Sequence, residues 1–390
     1  MISVSPLDER PPGRPGSTRA LVALLAFVLG FATVPHRVCE REAKRWLRDD
    51  PVLADSLSNG LARWTTTELK EKSFATGSAR FDGEWMFGTY VMAGLGFGQI
   101  ALTRADARDV NIERLERCLD ALETDRLRAF DRDGWGNDAI TTLEDGRGHL
   151  AYLGYASVVY ALHRRLRPES RYAAREEAII AAIERRVLAS PIGFIETYPN
   201  EIYPVDHATA IAALALHAKA TGAAPSPALA KLLTAVRGAV DPQTRLLFQS
   251  VHADASMRDT PRASGTALAA YLVSYADPPL ARQLFVALEK GQFRTVLGFG
   301  AMMEHPVTMK NGKADIDSGP VVLGFGVSAT GFALGASRAN GDRETFTALY
   351  ATAHLFGAPF DEDGVRTYTT GGPIGDAILF AMLTAPKAGT

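Results

Sequence analysis

Small and apolar runs alternate along this chain with charged runs that are apolar on one face. Six times a polar, glycine- or proline-marked start, at Glu84, His149, Asp206, Arg262, Asp317 and Gly372, leads into a helix-length apolar stretch and then toward a charged one. A helix that is apolar all round belongs in an interior, and a helix with one apolar stripe covers it from outside. The pattern predicts inner helices over residues 83–104, 148–166, 205–220, 262–275, 317–339 and 373–383. Outer helices are predicted over 109–125, 170–189, 227–240, 278–290 and 343–356. The last inner run has no outer helix after it, and the amphipathic run 40–61 has no inner helix before it. Pairing these two odd helices closes a ring.

The expected fold class is therefore all-α, an (α/α)6 toroid of six inner/outer helix pairs with short β segments or loops at the rim. Short glycine-bounded apolar segments between pairs are the candidate strands: Gly134-Trp135-Gly136, Gly193-Phe194-Ile195, Leu246-Leu247-Phe248, Gly298-Phe299-Gly300 and Val365 to Tyr368. The competing arrangement is an open solenoid of helix pairs. It needs a polar capping helix at its end, and the last helix here is as apolar as the inner ones.

With 390 residues, 47% hydrophobic and 22% charged, the chain has the material for one large core. Its net charge of -2, with no basic stripe interleaved with aromatics, points away from nucleic acid as a partner. The two cysteines, Cys39 and Cys118, form neither a metal nor a redox motif. No H-E-x-x-H, no phosphate-binding Gly-Lys loop and no Gly-x-Ser-x-Gly elbow is present, and no cofactor or metal is expected.

The N terminus reads separately. Arg10, Arg14 and Arg19 precede the apolar run from Ala20 to Val34, which is shorter than the roughly 20 residues of a membrane span. Residues 1–34 are expected to be an export signal, cut after Ala32, or else a retained signal anchor, with 35–390 as a single toroid domain. The expected location is periplasmic or extracellular, with membrane association through the apolar segment if it is kept. Oligomeric state is left open.

If all inner helices start at one end, that mouth collects backbone N–H groups and the positive ends of helix dipoles, which favour anions and hydroxyl-rich ligands. The segment from Glu196 to His207 is dense in acids and aromatics just before an apolar helix. Glu201, between Pro199 and Pro204, is the candidate general acid, and Asp206 suits a helix N-cap or a catalytic role. Asp315 and Asp317 form a second acidic pair, and two opposed carboxylates are the minimum for acid/base work on a glycosidic bond. His149 is a candidate acid or base, weighed against a loop-bonded helix-start histidine. Glu84, Trp85, Tyr152, Tyr155, Tyr198 and Tyr203 are candidate substrate contacts, and Arg262 is a candidate clamp for a carboxylate.

The six-pair ring resembles the (α/α)6 barrel of several glycoside hydrolases, polysaccharide lyases and epimerases, and of linalool dehydratase/isomerase. The loop Thr197-Tyr-Pro-Asn-Glu-Ile-Tyr-Pro-Val-Asp206 is similar to a cysteine-bracketed loop of that last family, with Thr197 and Asp206 in place of both cysteines. The resemblance implies that His149 corresponds to that family's pocket histidine. Three functions are expected in order: an exported enzyme acting on a saccharide or cell-envelope glycan, a lyase or isomerase acting on a small apolar alcohol, and a non-catalytic envelope scaffold.

Overall fold

The computed structural model describes residues 15–67, 69, 74, 76–309 and 319–387, and its helices sort as the hydrophobic pattern requires. Six helices form the inner layer: α3 (Ala79–Thr103), α6 (Leu150–Leu166), α8 (Pro204–Thr221), α10 (Ala263–Val273), α12 (Val327–Ala339) and α14 (Gly372–Leu383). Each packs on the next, and α14 packs back on α3, so the ring is closed. The outer layer is α2 (Pro51–Thr66), α4 (Arg108–Leu122), α7 (Ala173–Ala189), α9 (Pro227–Gly238), α11 (Pro278–Gly291) and α13 (Arg343–Gly357). The molecule is an all-α toroid of six inner/outer pairs.

Closure depends on three α3 positions that carry no side chain. A Cβ on Gly94 would lie 2.8 Å from Val159 and one on Gly98 2.4 Å from Leu162, both on α6, while one on Gly96 would lie 2.2 Å from the Phe380 ring on α14. Three glycines thus let the first inner helix be approached from both sides at once. Phe97 completes the seam, its ring centroid 5.1 Å from that of Phe380.

Several elements differ from expectation. The run 40–61 is not one helix. It belongs to α1 (Pro15–Leu47) and α2, broken where Asp49 adopts a φ of 57° and Asp50 caps the backbone N–H groups of Val52 and Leu53 ahead of Pro51. α1 packs on α13, with Trp46 Nε1 donating to Tyr350 Oη over 2.9 Å, and α2 serves as the outer partner of α14. An additional helix, α5 (Asp125–Trp135), occupies the segment ending at Gly134-Trp135-Gly136, and Gly136 caps it in the left-handed region. The fifth inner helix begins at Val327, ten residues later than Asp317.

Four two-stranded hairpins complete the described chain: β1 (Ser250–Val251) with β2 (Met257–Asp259), β3 (Phe293–Val296) with β4 (Phe299–Met302), β5 (Val321–Val322) with β6 (Phe325–Gly326), and β7 (Pro359–Glu362) with β8 (Val365–Tyr368). The expected strand at 365–368 is therefore present, and the one at 298–300 runs instead over Phe299–Met302 with Gly298 in the preceding turn. Gly193 to Ile195 is a loop, and Leu247 makes only an isolated bridge to Val240.

Candidate active site

A cavity of about 960 Å³ opens at one end of the ring, and every inner helix contributes to it from its N-terminal half. Glu84, Trp85 and Gly88 come from α3, Tyr155 from α6, Asp206 from α8, and Ser264 and Gly265 from α10. Gly331 and Phe332 of α12 and Ile374 and Ile378 of α14 complete the circle. The mouth thus gathers the inner-helix starts, as parallel inner helices in a closed ring must.

The wall is lopsided. One pole carries Glu84, Asp206, Tyr155, Tyr198, Tyr203, Thr197, Gln249 and Ser264. The opposite wall is built from Val296, Phe299, Val322, Leu323, Phe325, Phe332, Phe356, Ile374, Ile378 and Leu379, supplied by the hairpins and by α12, α13 and α14. Such a space accommodates a ligand with a polar end and an apolar body.

At the polar pole two carboxyls are each held by a tyrosine. Tyr198 Oη donates to Glu84 Oε1 over 2.6 Å, and Tyr155 Oη donates to Asp206 Oδ1 over 2.9 Å. Glu84 Oε2 is buried and has no hydrogen-bond partner among the described residues. Desolvation pushes the Glu84 pKa up to about 7; the Tyr198 hydrogen bond opposes this and the nearby charge of Asp206 adds to it. The outcome is a carboxyl that holds its proton near neutrality beside a second carboxyl.

The loop carrying Tyr198 and Tyr203 is fixed by a buried histidine. His207 Nε2 accepts from the Ile195 backbone over 2.9 Å while its Nδ1 lies 3.0 Å from the Tyr203 carbonyl, so Nδ1 carries the proton. Burial pushes its pKa down to about 4, which keeps the ring neutral in this role. Arg80 stacks 4.3 Å over the Tyr198 ring from outside.

The sequence-predicted residues divide clearly. Glu84, Trp85, Tyr155, Tyr198, Tyr203 and Asp206 share the cavity wall, and Asp206 lies in the first turn of α8, with Tyr203 as the cap. Glu201, His149, Tyr152 and Arg262 are not on that wall. Glu201 is held in a tight backbone turn with Tyr198, and its Oε2 accepts from Tyr203 Oη at 3.3 Å. His149 is fully buried: its Nδ1 is 2.6 Å from Asp131 Oδ2, its Nε2 is 3.1 Å from Asn137 Oδ1, and the Trp135 ring lies against it at 4.5 Å. It is the loop-bonded helix-start histidine rather than a wall residue. Tyr152 is buried and donates to the Leu122 carbonyl, and Arg262 caps α10 by its backbone. Asp315 and Asp317 lie outside the described residues.

Sequence reasoning missed Asp131, Gln249, Ser264 and Glu304. Asp131 is buried under His149, and burial pushes its pKa up against that hydrogen bond. Ser264 lines the cavity and donates over 2.6 Å to the fully buried Glu304. An acid directly after the apolar hairpin residues Ala301-Met302-Met303 was the available signal for Glu304. Among the described residues, no three His, Cys, Asp or Glu side chains converge as metal ligands.

No protein-family model matches this chain, and no curated protein matches it. Solved structures with a similar helical ring include a GH76 alpha-mannanase of Bacteroides thetaiotaomicron, at 11% identity and a TM-score of 0.47 over 77% of this chain and 84% of that one. A D-mannose isomerase matches at 12% identity and a TM-score of 0.49, over 77% of this chain and 85% of the other. A polysaccharide lyase matches at 12% identity and a TM-score of 0.41, over 84% and 99% respectively. Likenesses this distant carry no argument about chemistry. The similarity of the loop from Thr197 to Asp206 to linalool dehydratase/isomerase finds no support in them.

Proposed function

We propose that this chain is an enzyme that breaks or rearranges a C–O bond by general acid/base catalysis, with Glu84 as acid and Asp206 as base. The observation that carries this reading is the buried Glu84 carboxyl, its pKa raised to about 7 by desolvation, on the polar wall of a large cavity that Asp206 also lines. Tyr198 occupies Oε1, which leaves Oε2 as the oxygen that bears the proton. Tyr155 orients the Asp206 carboxylate.

The apolar far wall favours a hydroxyl-bearing substrate with an apolar body. In that case Glu84 donates its proton to the hydroxyl oxygen, the C–O bond breaks and water leaves. Asp206 takes a proton from the neighbouring carbon, and the products are an alkene and water. A second reading is favoured by Trp85, whose flat ring beside Glu84 suits a sugar face. There Glu84 protonates the glycosidic oxygen and Asp206 activates a water. Glu201 carries the acid role in neither reading, because its side chain is off the wall.

The purified protein is to be incubated with a panel of long-chain alcohols, alkyl glycosides and unmodified oligosaccharides, with products read by mass spectrometry. Turnover of the alcohols or alkyl glycosides, lowered at least about 100-fold by Glu84→Gln and by Asp206→Asn, is the expected result. Full turnover in Glu84→Gln removes the acid assignment, and turnover confined to unmodified oligosaccharides removes the apolar-body assignment.

A further inference from the structure

The pentapeptide Val-Leu-Gly-Phe-Gly occurs twice, at 296–300 and 322–326, and each copy forms the tip of a hairpin. The hairpins lie side by side, joined by the bridge of Met303 to Phe325 and by the Glu304 N–H donating to the Gly324 carbonyl. In each turn a leucine and a glycine both take positive φ: 51° and 85° at Leu297 and Gly298, 52° and 87° at Leu323 and Gly324. Such turns favour Asn, Asp or Gly at both positions, because a branched apolar side chain is strained there. Leu297 and Leu323 are also 65% and 91% exposed, with Val296 and Val322 beside them at 69% and 58%. Both backbone and water thus disfavour a residue that the chain uses at the same place twice.

The tips adjoin the mouth of the cavity, since Val296, Phe299, Val322, Leu323 and Phe325 line it. The N-terminal helix leads past the same rim. At its far end Arg338, in the last turn of α12, donates to the Trp46 carbonyl. At the rim His36 fills the space over Gly298 and packs edge-on to Phe299 at 5.6 Å. α1 therefore runs from the closed end to the mouth, and its residues before His36, which include the apolar run from Ala20 to Val34, continue it by about 30 Å of helix. No described helix is long and apolar enough to cross a membrane. Exposed Arg37 and Arg294 flank this rim and suit anionic headgroups.

We infer that the two leucine tips dock this molecule on a lipid bilayer, with the mouth of the cavity facing the membrane. The partner is the bilayer surface itself. The tips enter the boundary between headgroups and acyl chains, where exposed Leu and Val are stabilised, and the apolar wall behind them continues the acyl region into the cavity. A ligand with an apolar body then passes from membrane to site without crossing water. The inference rests on the rim and stands whichever C–O chemistry the cavity performs.

The test uses the full 390-residue chain and vesicles of phosphatidylcholine with phosphatidylglycerol. Leu297→Cys, Leu323→Cys and, at the opposite end, Ala223→Cys are each labelled with an environment-sensitive fluorophore, with the unsubstituted chain as control for the buried Cys39 and Cys118. Vesicles are expected to blue-shift the labels at 297 and 323 and to leave the label at 223 unchanged. The double variant Leu297→Asn, Leu323→Asn keeps residues that tolerate positive φ, so it folds, and its partition into floated vesicles is expected to fall about tenfold. Flotation with unshifted tip labels assigns binding to α1 alone and overturns the inference. So does undiminished partition of the double variant, or tip labels already blue-shifted without vesicles in a chain of dimeric mass.

Discussion

Glu84 shows what a residue's surroundings do to its chemistry. Its side chain is desolvated, with one oxygen engaged by Tyr198 and a like charge nearby, so its folded pKa of about 7 lies well above the unfolded value of about 4.3. Two outcomes follow with opposite uses. Activity that needs the protonated acid is expected to fall as pH rises through about 7, and a rate profile shows this as a basic limb that Glu84→Gln lacks. In stability the folded state binds more protons than the unfolded chain between those two pKa values, so the contribution of Glu84 declines as pH rises across that window. Glu84→Gln is accordingly expected to stabilise the protein at pH 8, by at most about 3 kcal/mol in urea denaturation, and to have little effect at pH 4. In sequence the same side chain was legible as the polar start of an apolar helix and as a candidate substrate contact, not as the acid.

Among the elements, α3 carries the closure of the ring. Its glycines are spaced two apart, so Gly94 and Gly98 meet α6 while Gly96 meets α14. A methyl at Gly96 meets a ring that is fully buried and packed against Phe97, and that ring has no room to retreat. Gly96→Ala is expected to cost about 2 kcal/mol by urea denaturation, although alanine is the better helix former. Gly331→Ala provides the contrast. Its Cβ would sit 3.6 Å from Ile378 on the cavity side, an ordinary contact, and the substitution is expected to be neutral or mildly stabilising. The run Gly94-Leu-Gly96-Phe-Gly98 is visible in the sequence, inside the first predicted inner helix. Its purpose lies in neighbours that local pattern does not name.

At the scale of the whole molecule, α1 and the β7–β8 hairpin are clasped by one carboxylate. Arg366 binds Glu42 of α1 at 2.6 Å and Asp361 of β7 at 2.7 Å, and Tyr350 of α13 donates to Glu42 at 2.5 Å. Burial by itself would raise the Glu42 pKa, but hydrogen bonds from His354, Arg366 and Tyr350 outweigh it and hold the value at about 2. The folded pKa is depressed, so the stabilisation is present above the unfolded value of about 4.3 and is lost as pH falls through about 2. Glu42→Gln is expected to lower stability at pH 7 by about 2–3 kcal/mol and to have much less effect at pH 2, measured by thermal unfolding at both. The clasp also ties α1, which leads past the rim, to the outer layer.

Hydrophobic period alone determined that inner and outer helices alternate, that they pair six times and that polar helix starts collect together, because burial of a face is written locally in the spacing of apolar residues. It placed most helix edges within a few residues and missed the break at Asp49, where a single left-handed residue and a capped proline outweigh a continuous amphipathic run. Which polar starts share one wall was decided only in three dimensions. Glu201 and Glu84 look alike in sequence, yet one is spent on a turn beside Tyr203 and the other is aimed at the cavity. His149 stands at a helix start like Asp206, yet Trp135 and Asp131, from a helix the pattern did not reveal, enclose it. Side chains from different repeats meet according to the radius of the ring and the rotation of each helix about its axis. Both are set by how the glycines and rings of neighbouring helices interlock, a property of pairs of distant residues rather than of any stretch of chain.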